Sequence, residues 1–124
     1  MRRAITFIIV LAALLLGAPP GQYAGTWTSD GGANSGKVNV ILSSSDEGDL
    51  SFTYQDLLIK PKKVTAKING DQVEFVCDVD LDGLRIKSTF SGTIVGKTMS
   101  GKYQSTSADD GSILDSGTWK VTQQ

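Results

Sequence analysis

The chain has no histidine and a single cysteine, Cys77, among its 124 residues. Without histidine the usual serine triad is excluded, and so is the commonest metal ligand. A lone cysteine offers no intramolecular disulfide, so the core must hold the fold without a covalent staple. Neither sign of charge dominates: 12 Lys and Arg stand against 13 Asp and Glu. Setting aside Arg2 and Arg3 in the leader leaves 12 − 2 = 10 basic residues against 13 acidic ones. That mildly acidic balance argues against a nucleic-acid partner gripped by its phosphates. Sustained helical periodicity is missing after the leader, and the long hydrophobic run is confined to Ile5 to Leu16.

That run follows Met1-Arg2-Arg3, and a positive start before a short apolar stretch is the layout of a secretory signal. A membrane span needs roughly 20 apolar residues, and Pro19-Pro20 interrupts this one first. The expectation is a signal peptide over 1–20, a single domain over 22–123, and a secreted or periplasmic location. Membrane contact would arise only through a leader left uncleaved. About a hundred residues remain, enough for one modest core.

Glycine is what the chain has in quantity, 14 in all. Four times a small residue, a glycine, a polar residue and a large apolar one follow each other: Ala24-Gly25-Thr26-Trp27, Ser91-Gly92-Thr93-Ile94, Ser100-Gly101-Lys102-Tyr103 and Ser116-Gly117-Thr118-Trp119. Residues two apart share a strand face, so each copy sets a glycine beside a bulky side chain. Glycine lets a strand bend sharply while a neighbouring ring covers the bared backbone. Alternating runs with turn signals between them predict eight strands, near 22–28, 37–43, 49–55, 62–68, 72–81, 84–95, 97–105 and 113–122, with 55–61 irregular.

Hairpin register tests this assignment. An Asp82-Gly83 turn sets Val79 against Ile86, Cys77 against Ser88 and Phe75 against Phe90 inside, with Asp80 opposite Arg85 and Asp78 opposite Lys87 outside. A slip of one residue would invert every side chain. Gly96-Lys97 likewise sets Gly92 against Gly101 and Phe90 against Tyr103. Asn69-Gly70 would set Ala66 against Val73 and Val64 against Phe75. A longer loop near 108–112 puts Tyr103 across from Gly117 and Gly101 across from Trp119. The expected fold is all-β, a single eight-stranded antiparallel up-and-down barrel, with Trp27 and Trp119 clasping the first strand to the last.

The opening Gly25-Thr26-Trp27, with Thr28-Ser29-Asp30-Gly31 after it, resembles the start of the lipocalins and avidin-like barrels of the calycin group. The resemblance implies a barrel enclosing a small ligand, or a secreted barrel that blocks an enzyme. Avidin-like biotin sites use several tryptophans, whereas this chain has only Trp27 and Trp119.

Candidate sites are few. Asp78, Asp80, Asp82 and Gly83 match the first half of a calcium loop, but Thr89 stands where a bidentate glutamate belongs. An outward acidic row ending in an Asp-Gly turn accounts for them, and no metal or cofactor is expected. Cys77 alternates with Val73, Phe75 and Val79, hence points inward as a small hydrophobe. Asp109 and Asp110 read as turn chemistry rather than an acid-base pair.

Leu57-Leu58-Ile59 beside Lys60-Pro61-Lys62-Lys63 reads either as a contact loop (Leu57, Leu58, Ile59, Lys60) or as a bent strand tucking Leu57 and Ile59 inward. If the barrel holds a cavity, its inner face suits a small apolar ligand, with Tyr54, Ser88, Tyr103 and Trp119 as contacts. The function expected is therefore non-catalytic binding of such a ligand. The alternative is an envelope or extracellular interaction protein, for example an enzyme inhibitor, working through its loops around a solid core.

Overall fold

The computed structural model describes residues 20–44 and 47–124; the signal peptide expected over 1–20 lies, but for Pro20, outside them. The alternating sequence becomes nine strands: β1 Gly21–Ser29, β2 Ser35–Leu42, β3 Gly48–Tyr54, β4 Leu57–Ile59, β5 Lys63–Asn69, β6 Gln72–Leu81, β7 Leu84–Val95, β8 Thr98–Ser107 and β9 Ile113–Gln123. They form one antiparallel sheet in the order β4-β3-β2-β1-β9-β8-β7-β6-β5, curled into a half-barrel. The closed eight-stranded barrel expected from the sequence is thus corrected in two respects: there are nine strands, and the hydrogen-bond ladder stays open between β4 and β5.

Both corrections have one cause. Residues 55–61 are irregular only at Lys60 and Pro61: Leu57–Ile59 form a strand, and Tyr54 pairs with Leu57 across a two-residue turn, with Gln55 at φ 51° and Asp56 at φ 64°. Such turns favour glycine, and this one carries none, which hid the hairpin. Pro61 then interrupts pairing, because it has no N–H to give a ladder. Counting antiparallel steps around the sheet from β4 to β5 makes these two strands run the same way. They are two stretches of one bent course, joined by Lys60, Pro61 and Lys62: the first pairs with β3 and the second with β6.

The first and last strands do meet, with Trp27 directly opposite Trp119. That joint lies at the middle of the sheet, linking the meander β1–β4 to the meander β5–β9. The Asp82-Gly83 turn has the expected register, both its residues at positive φ, 52° and 84°. The Gly96-Lys97 and 108–112 connections also pair as expected. The Asn69-Gly70 turn does not. Asn69 pairs with Gln72, leaving Gly70 and Asp71 in the turn, and Ala66 faces Phe75 while Val64 faces Cys77. The expected register would have set Ile68 against Asp71. The observed one sets Ile68 against Val73 and Lys67 against Glu74, better matched on both faces. The offset is two residues, so every side chain keeps its face.

The glycines of the four repeated motifs sit where strands press closest. A Cβ on Gly25 would strike the Lys120 carbonyl, on Gly92 the Ser100 carbonyl, on Gly101 the Ser91 carbonyl and Gly92 Cα, and on Gly117 the Thr28 carbonyl. All four obstacles are backbone, which cannot swing aside. Rings complete the surface: Tyr103 lies over Gly117 and Trp27 over Gly36. Trp119 donates from Nε1 to the carbonyls of Ser91 and Lys102, both at 3.1 Å, and so spans the Gly92–Gly101 pair.

The interior has two halves. Toward the end bearing the 70–71 and 96–97 turns, Tyr23, Val40, Leu42, Leu50, Val73, Met99 and Val121 are buried and pack solid. Each such side chain contributes about 1.5–3 kcal/mol by leaving water. Phe75, Phe90 and Trp119 form the middle layer, with Trp119 edge-on to Phe90 at 5.8 Å and to Phe75 at 6.2 Å. Beyond that layer, toward the end with loops 30–34, 55–56, 82–83 and 108–112, the filling stops.

Candidate functional site

The unfilled half is a cup of about 350 Å³, open at the loop end. Its wall is built by strand alternation: Trp27 from β1, Phe52 and Tyr54 from β3, Val79 and Leu81 from β6, Leu84, Ile86, Ser88 and Phe90 from β7, Tyr103 and Ser105 from β8, and Leu114 and Asp115 from β9, with Asn34 at the rim. Aromatic contacts fix much of this wall. Trp27 stacks on Tyr54 at 6.3 Å and meets Tyr103 edge-on at 5.7 Å, while Phe90 stacks on Tyr103 at 5.5 Å and meets Phe52 at 6.1 Å. Trp27 Nε1 donates to the Thr53 carbonyl at 2.8 Å, which pins the indole across β2 onto β3.

Polar groups in the cup are few, and four of them are paired. The Ser88 and Ser105 hydroxyls share a hydrogen bond of 2.7 Å. The Tyr103 hydroxyl donates to Asp115 Oδ2 at 2.9 Å. Burial first, then the hydrogen bond to Asp115 and the charges of Asp115 and Asp30, raise the Tyr103 pKa well above its ordinary value, so this phenol stays a donor at neutral pH.

Of the four expected ligand contacts, Tyr54, Ser88 and Tyr103 line the cup. Trp119 does not: it is buried in the layer beneath, 2% exposed, and supports Phe90 from below. Sequence reasoning passed over Trp27, Asn34, Ser105, Leu114 and Asp115 as contacts. Asp115 was legible, because it alternates with Gly117 and Trp119 and so shares their inward face. The expected contact loop divides: Leu57 and Leu58 are 62% and 54% exposed, Lys60 is exposed, and Ile59 is buried at 5%. The bent-strand alternative holds for Ile59 alone. Leu57 shares its face but lies beyond the packed layers, next to the 55–56 turn.

The remaining candidates have ordinary partners. Asp80 bridges to Lys62 at 3.1 Å, not to Arg85 opposite it, and accepts from the Gly83 amide. Lys62 holds its carboxyl below the usual range. Arg85 binds Asp109 at 2.7 Å. Asp110 accepts from the Ser112 amide and hydroxyl, which lower its pKa, so the two adjacent carboxylates do different work. Cys77 is fully buried and its thiol is pushed up to about 12 by burial, then by Asp49 and Asp78. A nucleophilic thiol needs the opposite shift. A second depression, about 470 Å³, is lined by Asp30, Thr89, Ser91, Lys102, Gln104, Ser116 and Gly117, with Tyr103 as its one aromatic residue. No family model, curated protein or solved structure matches the chain.

Proposed function

We propose that this is an exported, non-catalytic binding protein that takes a small apolar ligand into the cup, in the manner of calycin barrels. The observation that carries the reading is the cup itself: about 350 Å³, walled by five aromatic rings and closed below by a solid core. Ligand sites are typically concave, mostly apolar and about 300–1,000 Å³, with a few placed polar groups. Here those groups are Tyr54, Ser88, Ser105, Tyr103 and Asp115. The absence of histidine and the suppressed Cys77 thiol support binding without catalysis.

A second reading rests on one further observation. Leu57, Leu58, Leu84, Ile113 and Leu114 are all exposed, and all lie at the loop end. They would suit a protein partner, such as an enzyme to be inhibited, docking over the rim. Native mass spectrometry of the protein purified from its own host separates the two. The ligand reading expects a bound mass of a few hundred daltons, released on denaturation. A bound protein with an empty cup would favour the rim instead.

A further inference from the structure

The cup's wall carries a charge pattern that narrows the class of ligand. Among the described residues lining it there is one carboxylate, Asp115, and no lysine or arginine. Asp115 spends Oδ2 on the Tyr103 hydroxyl. That bond leaves Oδ1 for a donor or a positive charge from within the cup. The ion pairs among the described residues join Lys62 to Asp80 and Arg85 to Asp109, so neither of these cations neutralises Asp115. Tyr103, its hydrogen-bond partner, lines the cup together with the rings of Trp27 and Tyr54. Trp27 and Tyr103 meet at an interplanar angle of 81°, and Tyr54 stacks along Trp27, which makes a corner of aromatic surface. Such faces attract a cation held within about 6 Å. A neutral ligand with no hydrogen-bond donor would leave Oδ1 of this half-buried carboxylate without a partner in the cup, which disfavours it.

From this geometry we infer that the ligand is a small organic cation, an apolar body bearing an amine or quaternary ammonium group, with Asp115 as its counter-charge. This rests on the cup being a ligand site. The loops around the mouth fit the same class: Asp30, Asp56, Asp82 and Asp110 occupy turns at this end, while Asp109 is paired with Arg85, and the remaining acidic excess concentrates the opposite ion at the entrance.

The test compares benzyltrimethylammonium with neopentylbenzene, the same shape with carbon in place of the charged nitrogen. Binding is followed by tryptophan fluorescence, to which Trp27 in the cup wall and Trp119 beneath it both contribute, with Asp115→Asn and Tyr103→Phe proteins alongside. The inference expects the cation to bind at least tenfold tighter than its neutral twin, a difference of about 1.4 kcal/mol. It expects that preference to vanish in Asp115→Asn and to survive in Tyr103→Phe, which keeps the carboxylate. Should Asp115→Asn fail to fold, the wild-type comparison still decides on charge. Equal or tighter binding of neopentylbenzene overturns the inference while leaving an apolar ligand site standing. A preference that persists in folded Asp115→Asn overturns the assignment of Asp115. Binding of neither probe overturns both the inference and the reading beneath it.

Discussion

Gly101 shows how little room the strands leave one another. A methyl group there would meet the Ser91 carbonyl and Gly92 Cα of β7, and backbone cannot rotate away as a side chain can. Gly101→Ala is therefore expected to lower stability by about 1–3 kcal/mol, the usual range for overpacking. A urea midpoint equal to the parent's would contradict the close approach. Cys77 gives a pH signature. Its folded pKa, about 12, lies above the ordinary thiol value, so the folded protein holds a proton that the unfolded chain gives up first. Stability is then intact below about pH 8.5 and falls as pH rises toward 12, the raised Tyr23 and Tyr103 adding to the fall. Between pH 9 and 11 the decline should be shallower in Cys77→Ala. Parallel pH profiles for the two proteins would show that the thiol is not shielded from water.

Among the elements, β4 departs furthest from expectation, and only one of its three apolar residues reaches the core. Ile59→Ala should cost about 2–5 kcal/mol as a buried large-to-small change. Leu57→Ser and Leu58→Ser should melt almost as the parent does, since both side chains stand in water. Equal losses at all three positions, or none at Ile59, would show that the strand is placed otherwise. The same region marks where the sequence stops being legible. Registers at Asp82-Gly83 and Gly96-Lys97 could be read because in each the glycine-bearing dipeptide is itself the two-residue turn. Gln55-Asp56 announces nothing, although both residues take the turn conformation. At Asn69-Gly70 two registers differing by two residues give the same faces, so periodicity could not choose between them. Pairing energy did, through Ile68 with Val73. Of the candidate site, the inward direction of Tyr54, Ser88 and Tyr103 followed from alternation. Depth did not, which is why Trp119, correctly placed on the inner face, turned out to lie beneath the cup.

On the scale of the whole molecule, the protein is asymmetric along its axis. One half is filled by Tyr23, Met99, Val121 and their neighbours; the other is a cup with an aromatic wall and acidic loops at its mouth. The open ladder between β4 and β5 runs beside both halves, so the solid core rather than ring closure keeps the walls in place. A ligand should therefore disturb only the loop half. The most direct test is amide and indole chemical-shift mapping on the isotope-labelled protein, titrated with benzyltrimethylammonium and with neopentylbenzene. For whichever probe binds, saturable shifts are predicted at the Trp27 indole, Ser88, Phe90, Tyr103, Ser105 and Asp115, with Tyr23, Val40, Met99 and Val121 unmoved. Shifts confined to the outer strand faces or to the filled end, or no saturable shifts with either probe, would contradict the claim that the cup is the binding site.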